Sequence, residues 1–180
     1  MNVIELVSDI FTNYKQTNNS PLHVGEVMNL WTFLTATENF TNSEEITLNT
    51  VEDQDLKKKM NELVENYHKP IINEIKTLLL KEGVELPQGP SEKPDLKLNL
   101  PAGGKMTDEE VANFVVFNLV WAINFCARGL TEAVRADVGT LFVKAIVQKA
   151  GFSLTLKQLM TDKGWLHVPP QYKIPEANQK

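Results

Sequence analysis

The stretch LPQGPSEKPDLKLNLPAGGK, residues 86–105, decides how this chain folds. Pro87, Pro90, Pro94 and Pro101 together with Gly103-Gly104 rule out a helix across it, because proline lacks an amide donor and clashes with the preceding turn. A non-helical connection this long is uncommon inside a small domain unless it has somewhere to go. Both flanks read as helical, so the simplest route for it is from one end of a helical pack to the other.

On the C-terminal side, Thr107-Asp-Glu-Glu110 is a capping box that opens a helix. That helix is apolar nearly all round from Phe114 to Ala127, which predicts a central helix or one buried against a second subunit. Asp137 is the expected cap of the next helix, with Leu141, Ala145, Phe152 and Leu159 on its inner line and Lys163-Gly164 as its stop. The tail from Trp165 to Lys180 is proline-bearing and reads as extended.

On the N-terminal side, Ile4, Val7, Phe11 and Tyr14 predict a short helix over Val3–Lys15, ended by Thr17-Asn-Asn-Ser20. Ser20 and Pro21 are expected to start a second helix, with Val27, Leu30, Trp31 and Leu34 facing inward and an end near Asn42 to Glu45. Thr50 is the expected cap of a third, with Glu52 and Asp53 in its first turn. Leu56, Met60, Val64, Tyr67, Ile71, Ile75 and Leu78 form its stripe, and Gly83 stops it. Pro70 lies inside this run and predicts a kink or a split between Asn66 and Pro70. Two helical hairpins joined by one bundle-length connection make an all-α, ferritin-like four-helix bundle. The expected division of this single domain, 1–180, is an N-terminal helix (1–19), a first hairpin (20–83), the crossover (84–106), a second hairpin (107–164) and a tail (165–180).

The 180 residues are enough for one domain with a real core. The formal charge of −5 leaves no cation excess for phosphates, so nucleic acid is not expected as a partner. Lys57, Lys58 and Lys59 sit among acids and read as a solvated face. Cys126 is the single cysteine, which excludes a disulfide framework and fits a reducing compartment. No basic region leads an apolar run at the N-terminus, and the Phe114–Ala127 stretch is shorter than the ~20 residues of a membrane span. The expectation is a cytoplasmic, soluble protein without a membrane span.

Several short motifs resemble one family. These are Glu26-Val-Met-Asn-Leu-Trp31, His68 after a tyrosine, Glu82-Gly83 with Leu86-Pro87 and Gly89, Arg135-Ala-Asp137-Val, and Gly164-Trp-Leu166 with Pro169-Pro170 and Tyr172. In order and spacing they resemble the ferritin-like proteins of unknown function from endospore-forming bacteria that are related to spore coat protein F. The resemblance spans about Ser20 to Tyr172. It implies the same fold and an association with the spore or its coat, and brings no reaction with it.

A ferritin-type di-iron centre takes a Glu from each of two helices and a Glu-x-x-His from each of the other two. This chain has one such motif, Glu65-Asn-Tyr-His68, and no histidine between His68 and His167. Turning the first hairpin near Leu48 sets Glu26, His68 and Gln148 at one level, with Glu38 and Asn118 at another. Helical stepping points Glu38, Asn118 and Gln148 inward, leaves Glu65 off the stripe and puts His68 on its flank. The candidate metal residues are therefore Glu26, Glu38, Glu65 and His68, for iron, manganese or zinc. The ordinary reading is no cofactor, with Glu38, Asn118 and Gln148 hydrogen-bonded inside the core.

Other chemistry finds less support. Cys126 sits in the apolar run as a small hydrophobe. Gly103-Gly104-Lys105 lacks the spacing of a phosphate loop. Arg128, Arg135 and Asp137 suggest a structural ion-pair cluster, and Trp165 a plug for the end of its own bundle. The sequence thus points to a non-catalytic structural or interaction protein. A homodimer through the apolar fourth helix is expected, with other spore proteins as further partners. The alternative is a carboxylate–histidine metal protein, such as an oxidase.

Overall fold

The computed structural model describes residues 20–91 and 101–172, together with Glu5 and Asp9. The expected N-terminal helix stripe of Ile4, Val7, Phe11 and Tyr14 lies outside the described residues, as do 92–100 of the crossover and 173–180 of the tail. Among the described residues the regular structure is helical: α1 (Val24–Leu48), α2 (Gln54–Leu63), a π turn (Val64–His68), α3 (Lys69–Lys81), α4 (Asp108–Glu132) and α5 (Ala136–Lys163).

The starts of α1 and α2 lie later than expected, and α5 starts at Ala136 with Arg135, not Asp137, at the cap position. α1 begins at Val24, not at Pro21, because His23 is its cap: Nδ1 accepts from the amides of Gly25 (3.0 Å) and Glu26 (3.3 Å). Glu26 Oε2 in turn accepts from the His23 amide at 3.2 Å, so a histidine fills the place usually held by serine or threonine in a capping box. α2 is capped by Asp53, one turn beyond Thr50, through bonds from the amides of Asp55 and Leu56. The Thr107–Glu110 capping box forms as read. Gly83 and Gly164 end α3 and α5 with φ of 74° and 76°, and the residue after each sends its amide back, Val84 to Leu79 and Trp165 to Met160.

Pro70 does not end its helix; the irregularity expected beside it takes the form of a π turn between α2 and α3. The turn before it widens, so that the Lys69 amide reaches the Val64 carbonyl five residues back. The extra residue gives room to the proline ring and to the carbonyl it would otherwise crowd. It also resets the face. A regular helix turns Tyr67 inward and leaves His68 on the flank; after the π turn His68 is buried and Tyr67 half-buried. The inner line of the rod runs Leu56, Met60, Leu63, Val64, His68, Ile71, Ile72, Ile75 and Leu79.

The described parts of the crossover, residues 84–91 and 101–106, lie at different heights along the bundle. The Glu85 carbonyl accepts from Trp31 Nε1 at 3.2 Å, and Gly89 lies against Glu38, about two helical turns further along α1. The far end of the crossover arrives beside the start of α2, where the Asp108 carboxylate accepts from the amides of Glu52 and Asp53, both at 2.9 Å. α4 therefore runs parallel to α2–α3 and antiparallel to α1, against which it packs. Trp165 and Leu166 pack on the upper end of the bundle, and the Trp165 carbonyl accepts from Asn113.

The apolar core falls into two clusters. The lower one holds Leu30, Phe33, Leu34, Ile71, Ile75, Cys126 and Phe142 among others; the upper one holds Leu56, Met60, Leu63, Val115, Leu119, Phe152 and Leu156 among others. The inner side of α1 is Leu30, Phe33 and Leu34, while Trp31 is 38% exposed and Val27 half-buried. Above Leu34 the same side carries Thr37, Thr41 and Glu44, so no apolar stripe marks it in the sequence. In the lower cluster α4 and α5 meet at Gly129, where a Cβ would sit 2.6–2.9 Å from the Phe142 ring. That ring is fully buried and has nowhere to retreat. Gly129→Ala is expected to lower unfolding free energy by about 1–3 kcal/mol through overpacking, measured by chemical denaturation; an unchanged midpoint would show that the helices separate freely.

Candidate functional site

Between the two apolar clusters lies a polar layer to which every side of the bundle contributes. α1 supplies Thr37, Thr41 and Glu44, the π turn His68, α4 Asn118 and α5 Lys149, all buried. The threonines are satisfied locally: Thr37 Oγ1 donates to the Phe33 carbonyl (2.7 Å) and Thr41 Oγ1 to the Thr37 carbonyl (2.8 Å). Glu44, fully shielded from solvent, is the hub. Its Oε1 accepts from Asn118 Nδ2 at 3.2 Å, and its Oε2 lies 3.1 Å from His68 Nδ1. The second approach is off the line of a good hydrogen bond, so Glu44 Oε2 has no proper donor, and neither has Asn118 Oδ1.

The protonation of His68 follows from its neighbours. Burial first and the Lys149 charge second push its proton affinity below the ordinary value, with Glu44 opposing them. The ring is therefore neutral near pH 7. Thr41 has already spent its one hydroxyl hydrogen on Thr37, so at 3.3 Å from His68 Nδ1 its oxygen accepts. Nδ1 thus carries the hydrogen and donates it to Thr41, with Glu44 Oε2 close by.

Lys149 is the least expected member. It is buried, and it makes no hydrogen bond or ion pair among the described residues; its Nζ lies 5.9 Å from the Phe33 ring centroid. Burial, the largest cause, pulls its pKa down to about 8. Cys126 itself is pushed up to about 12 by burial, so it stays a thiol and is no nucleophile.

The structure does not bring the sequence candidates together. Glu26 lies at the closed end of the second hairpin, where Oε1 accepts from the amides of Val134 (2.8 Å) and Arg135 (2.7 Å). Glu38 is buried one side over from the layer, paired with Lys76 at 2.6 Å and with Oε2 lacking a donor. Glu65 is exposed and pairs with Lys69. Gln148 is half-buried, and its neighbour Lys149 takes the inward position instead. Of the named residues only His68 and Asn118 reach the layer. The first hairpin turns over residues 49–53, beyond Leu48, and His68 faces Thr41 and Glu44 rather than Glu26. Glu44 was missed because it fell in the predicted helix end. The one available signal was Thr37, Thr41 and Glu44 repeating at helical spacing. Lys149 reads in sequence as an ordinary surface lysine.

The donor set does not suit the di-iron centre that this fold implies elsewhere. Where four carboxylates and two imidazoles are needed, the layer offers one carboxylate, one imidazole, one amide and one ammonium. Among the described residues no three of His, Cys, Asp and Glu converge to hold a metal. Arg135 and Asp137 do form the expected ion-pair cluster, joined by Glu82, whereas Arg128 pairs with Glu132.

The chain is similar to solved ferritin-like structures. A ferritin-like and DJ-1/ThiJ/PfpI-like two-domain protein from Anabaena variabilis matches with a TM-score of 0.62 at 16% identity, over 90% of this chain and 42% of that one. A conserved hypothetical protein from Mycobacterium tuberculosis matches with 0.63 at 12% identity, over 77% and 98%. At these identities the likeness is one of fold. A protein from Bacillus halodurans described as a candidate spore coat protein matches with a TM-score of 0.82 at 27% identity, over 87% of this chain and 98% of that one. In sequence the chain is 31% identical over 151 residues to the uncharacterized protein YvdQ of Bacillus subtilis, covering 83% of this chain and 88% of the relative. Residues 10–177 match the family described as protein of unknown function DUF3231, and the chain belongs to that family.

Proposed function

We propose that this protein is a non-catalytic structural or interaction component associated with the spore, built on a ferritin-like bundle whose central polar layer serves packing rather than metal chemistry. The observation that carries this is the composition of the layer: an ammonium group stands among its side chains, and only Glu44 and His68 are of ligand type. The name of the Bacillus halodurans relative supports the link to the spore coat. The test is elemental analysis of protein purified without chelator from metal-supplemented medium, alongside a fluorescent fusion followed through sporulation. Less than a tenth of an equivalent of iron, manganese or zinc and a signal on the forespore surface are expected. One metal per chain, lost in His68→Ala, would favour the carboxylate–histidine oxidase instead.

The protein works as a homodimer in this reading, with neither nucleic acid nor a membrane as partner. α4 is long and apolar enough, by length and composition, to cross a membrane. Its inner residues Val111, Val115, Leu119, Ala122 and Cys126 are committed to the core. Its outer side leaves Phe117 66% and Val120 48% exposed. Stepping twelve residues from the Gly129–Phe142 contact, back along α4 and forward along α5, brings Phe117 level with Leu154, which is 70% exposed. A pair of copies would cover this patch. Light scattering on a sizing column is expected to give twice the monomer mass, and Phe117→Lys with Leu154→Lys half of that; a monomeric wild type removes the claim.

A further inference from the structure

We propose that the segment from Ile4 to Tyr14 folds back as a helix along the outer side of α1 and covers Val24, Met28 and Trp31. On that side α1 leaves Val24 87% and Met28 63% exposed, with Trp31 partly exposed above them. The three are large apolar residues at i, i+4 and i+7, turned away from Leu30, Phe33 and Leu34 in the lower cluster. Exposed apolar residues scattered singly are ordinary on a protein surface. Three in line at helical spacing make a seat for a second helix, because packed helices exchange anchors at that spacing.

The occupant follows from reach and register. The chain enters the bundle at the foot of this stripe: the Ser20 carbonyl accepts from Arg135 Nη1 at 3.0 Å, and Leu22 packs on the lower cluster. Before Ser20 comes the apolar stripe of Ile4, Val7, Phe11 and Tyr14, which lies outside the described residues. Glu5 and Asp9, which are described, are helical and exposed. A step of about 100° per residue puts both on the side opposite the stripe. Residues 16–22 give a connection of the length usual between antiparallel helices. Reversal near Asn19 then sets Tyr14 against Val24, Phe11 against Met28 and Val7 against Trp31, so the three-and-four alternation of one stripe meets that of the other. The upper apolar patch is too far away. Phe117 adjoins Asn118, whose partner Glu44 stands ~30 Å along α1 from Val24, whereas the stripe from Ile4 to Tyr14 spans ~15 Å.

Thiol reactivity toward a maleimide, measured on the full chain, tests this. Cys126 is buried and its pKa raised to about 12, so it stays silent. Met28→Cys reports the covered stripe. Ile46→Cys is the reference: it lies on the same side of α1, about five turns on, and is less exposed than Met28, at 43%. Neither exchange touches the core. Met28→Cys is expected to react roughly 10-fold or more slowly than Ile46→Cys, and to regain the reference rate when Val7→Asp and Phe11→Asp are added. The protection is expected to be the same at all protein concentrations and to survive Phe117→Lys with Leu154→Lys, which separates it from the pairing of copies proposed above. Met28→Cys reacting as fast as Ile46→Cys overturns the proposal. So does protection that persists with Val7→Asp and Phe11→Asp, and so does protection that fades on dilution, which would assign the stripe to a second copy.

Discussion

Arg135→Ala is expected to lower the unfolding free energy by about 3–5 kcal/mol, and with it the melting temperature by roughly 10 °C. Arg135 is buried and uses its whole guanidinium. Nε and Nη2 hold the two oxygens of Asp137 at 3.0 and 2.6 Å, and Nη1 donates to Glu82 at 2.8 Å and to the Ser20 carbonyl at 3.0 Å. Its backbone amide also donates to Glu26. One residue therefore ties together the segment before α1, the end of α3 and the start of α5. Truncation leaves the Glu82 carboxylate without its cation in a place water reaches poorly, and it frees the Ser20 carbonyl. Asp137 is more exposed and rehydrates, so most of the loss comes from Glu82 and the broken tie. Arg135→Lys is expected to recover only part of it, because an ammonium cannot hold a carboxylate with two parallel bonds and reach Glu82 as well. Urea denaturation of the three proteins checks this; an Arg135→Ala midpoint equal to wild type would mean that the tie contributes nothing.

The second large effect is a rise in stability with pH above neutrality. Lys149 has a folded pKa of about 8 against an ordinary 10.5. From pH 8 to 10.5 the unfolded chain binds the proton that the native state has released, so native stability climbs across that window. At roughly 1.36 kcal/mol per unit the full gain is on the order of 3 kcal/mol. Below pH 8 both states hold the proton and the burial penalty is present in full. His68 shifts the same way, its folded value lying below 6.5, so stability falls as pH drops beneath the unfolded value. Other lysines and tyrosines titrate at high pH too. The informative quantity is thus the difference between wild type and Lys149→Met, by chemical denaturation at pH 7, 8, 9 and 10. That difference is expected to move by several kcal/mol in favour of wild type; a flat difference would mean that Lys149 is hydrated in the native state.

Neither effect was visible in the chain as a string. Arg135-Ala-Asp137 reads as an ion pair by proximity, but Glu82 and Ser20 reach it only because the hairpins lie side by side. Lys149, flanked by Gln148 and Lys144 on one side and Ala150 on the other, carries no mark of burial. The rule that places charge outside is a statistical one, and a layer that breaks it can be seen only when four helices are assembled.

What the amino-acid order settled unaided was the architecture. A proline-rich connection is unable to be helix, the capping box at Thr107 fixes where the next helix starts, and Gly83 and Gly164 supply the positive φ that ends two others; these are local constraints, each acting over a few residues. They suffice for two hairpins and a crossover, and hence for a ferritin-like bundle. Tertiary structure decided which polar groups meet. A π turn at Val64–His68, made necessary by Pro70, rotates His68 inward. The offset of the first hairpin then sets it against Glu44 and not Glu26. Facing across a bundle depends on the summed rotation and rise of two helices and their turn, so an error of one residue rotates a side chain by about 100°. Local signals do not carry that sum, and only the packed helices fix it.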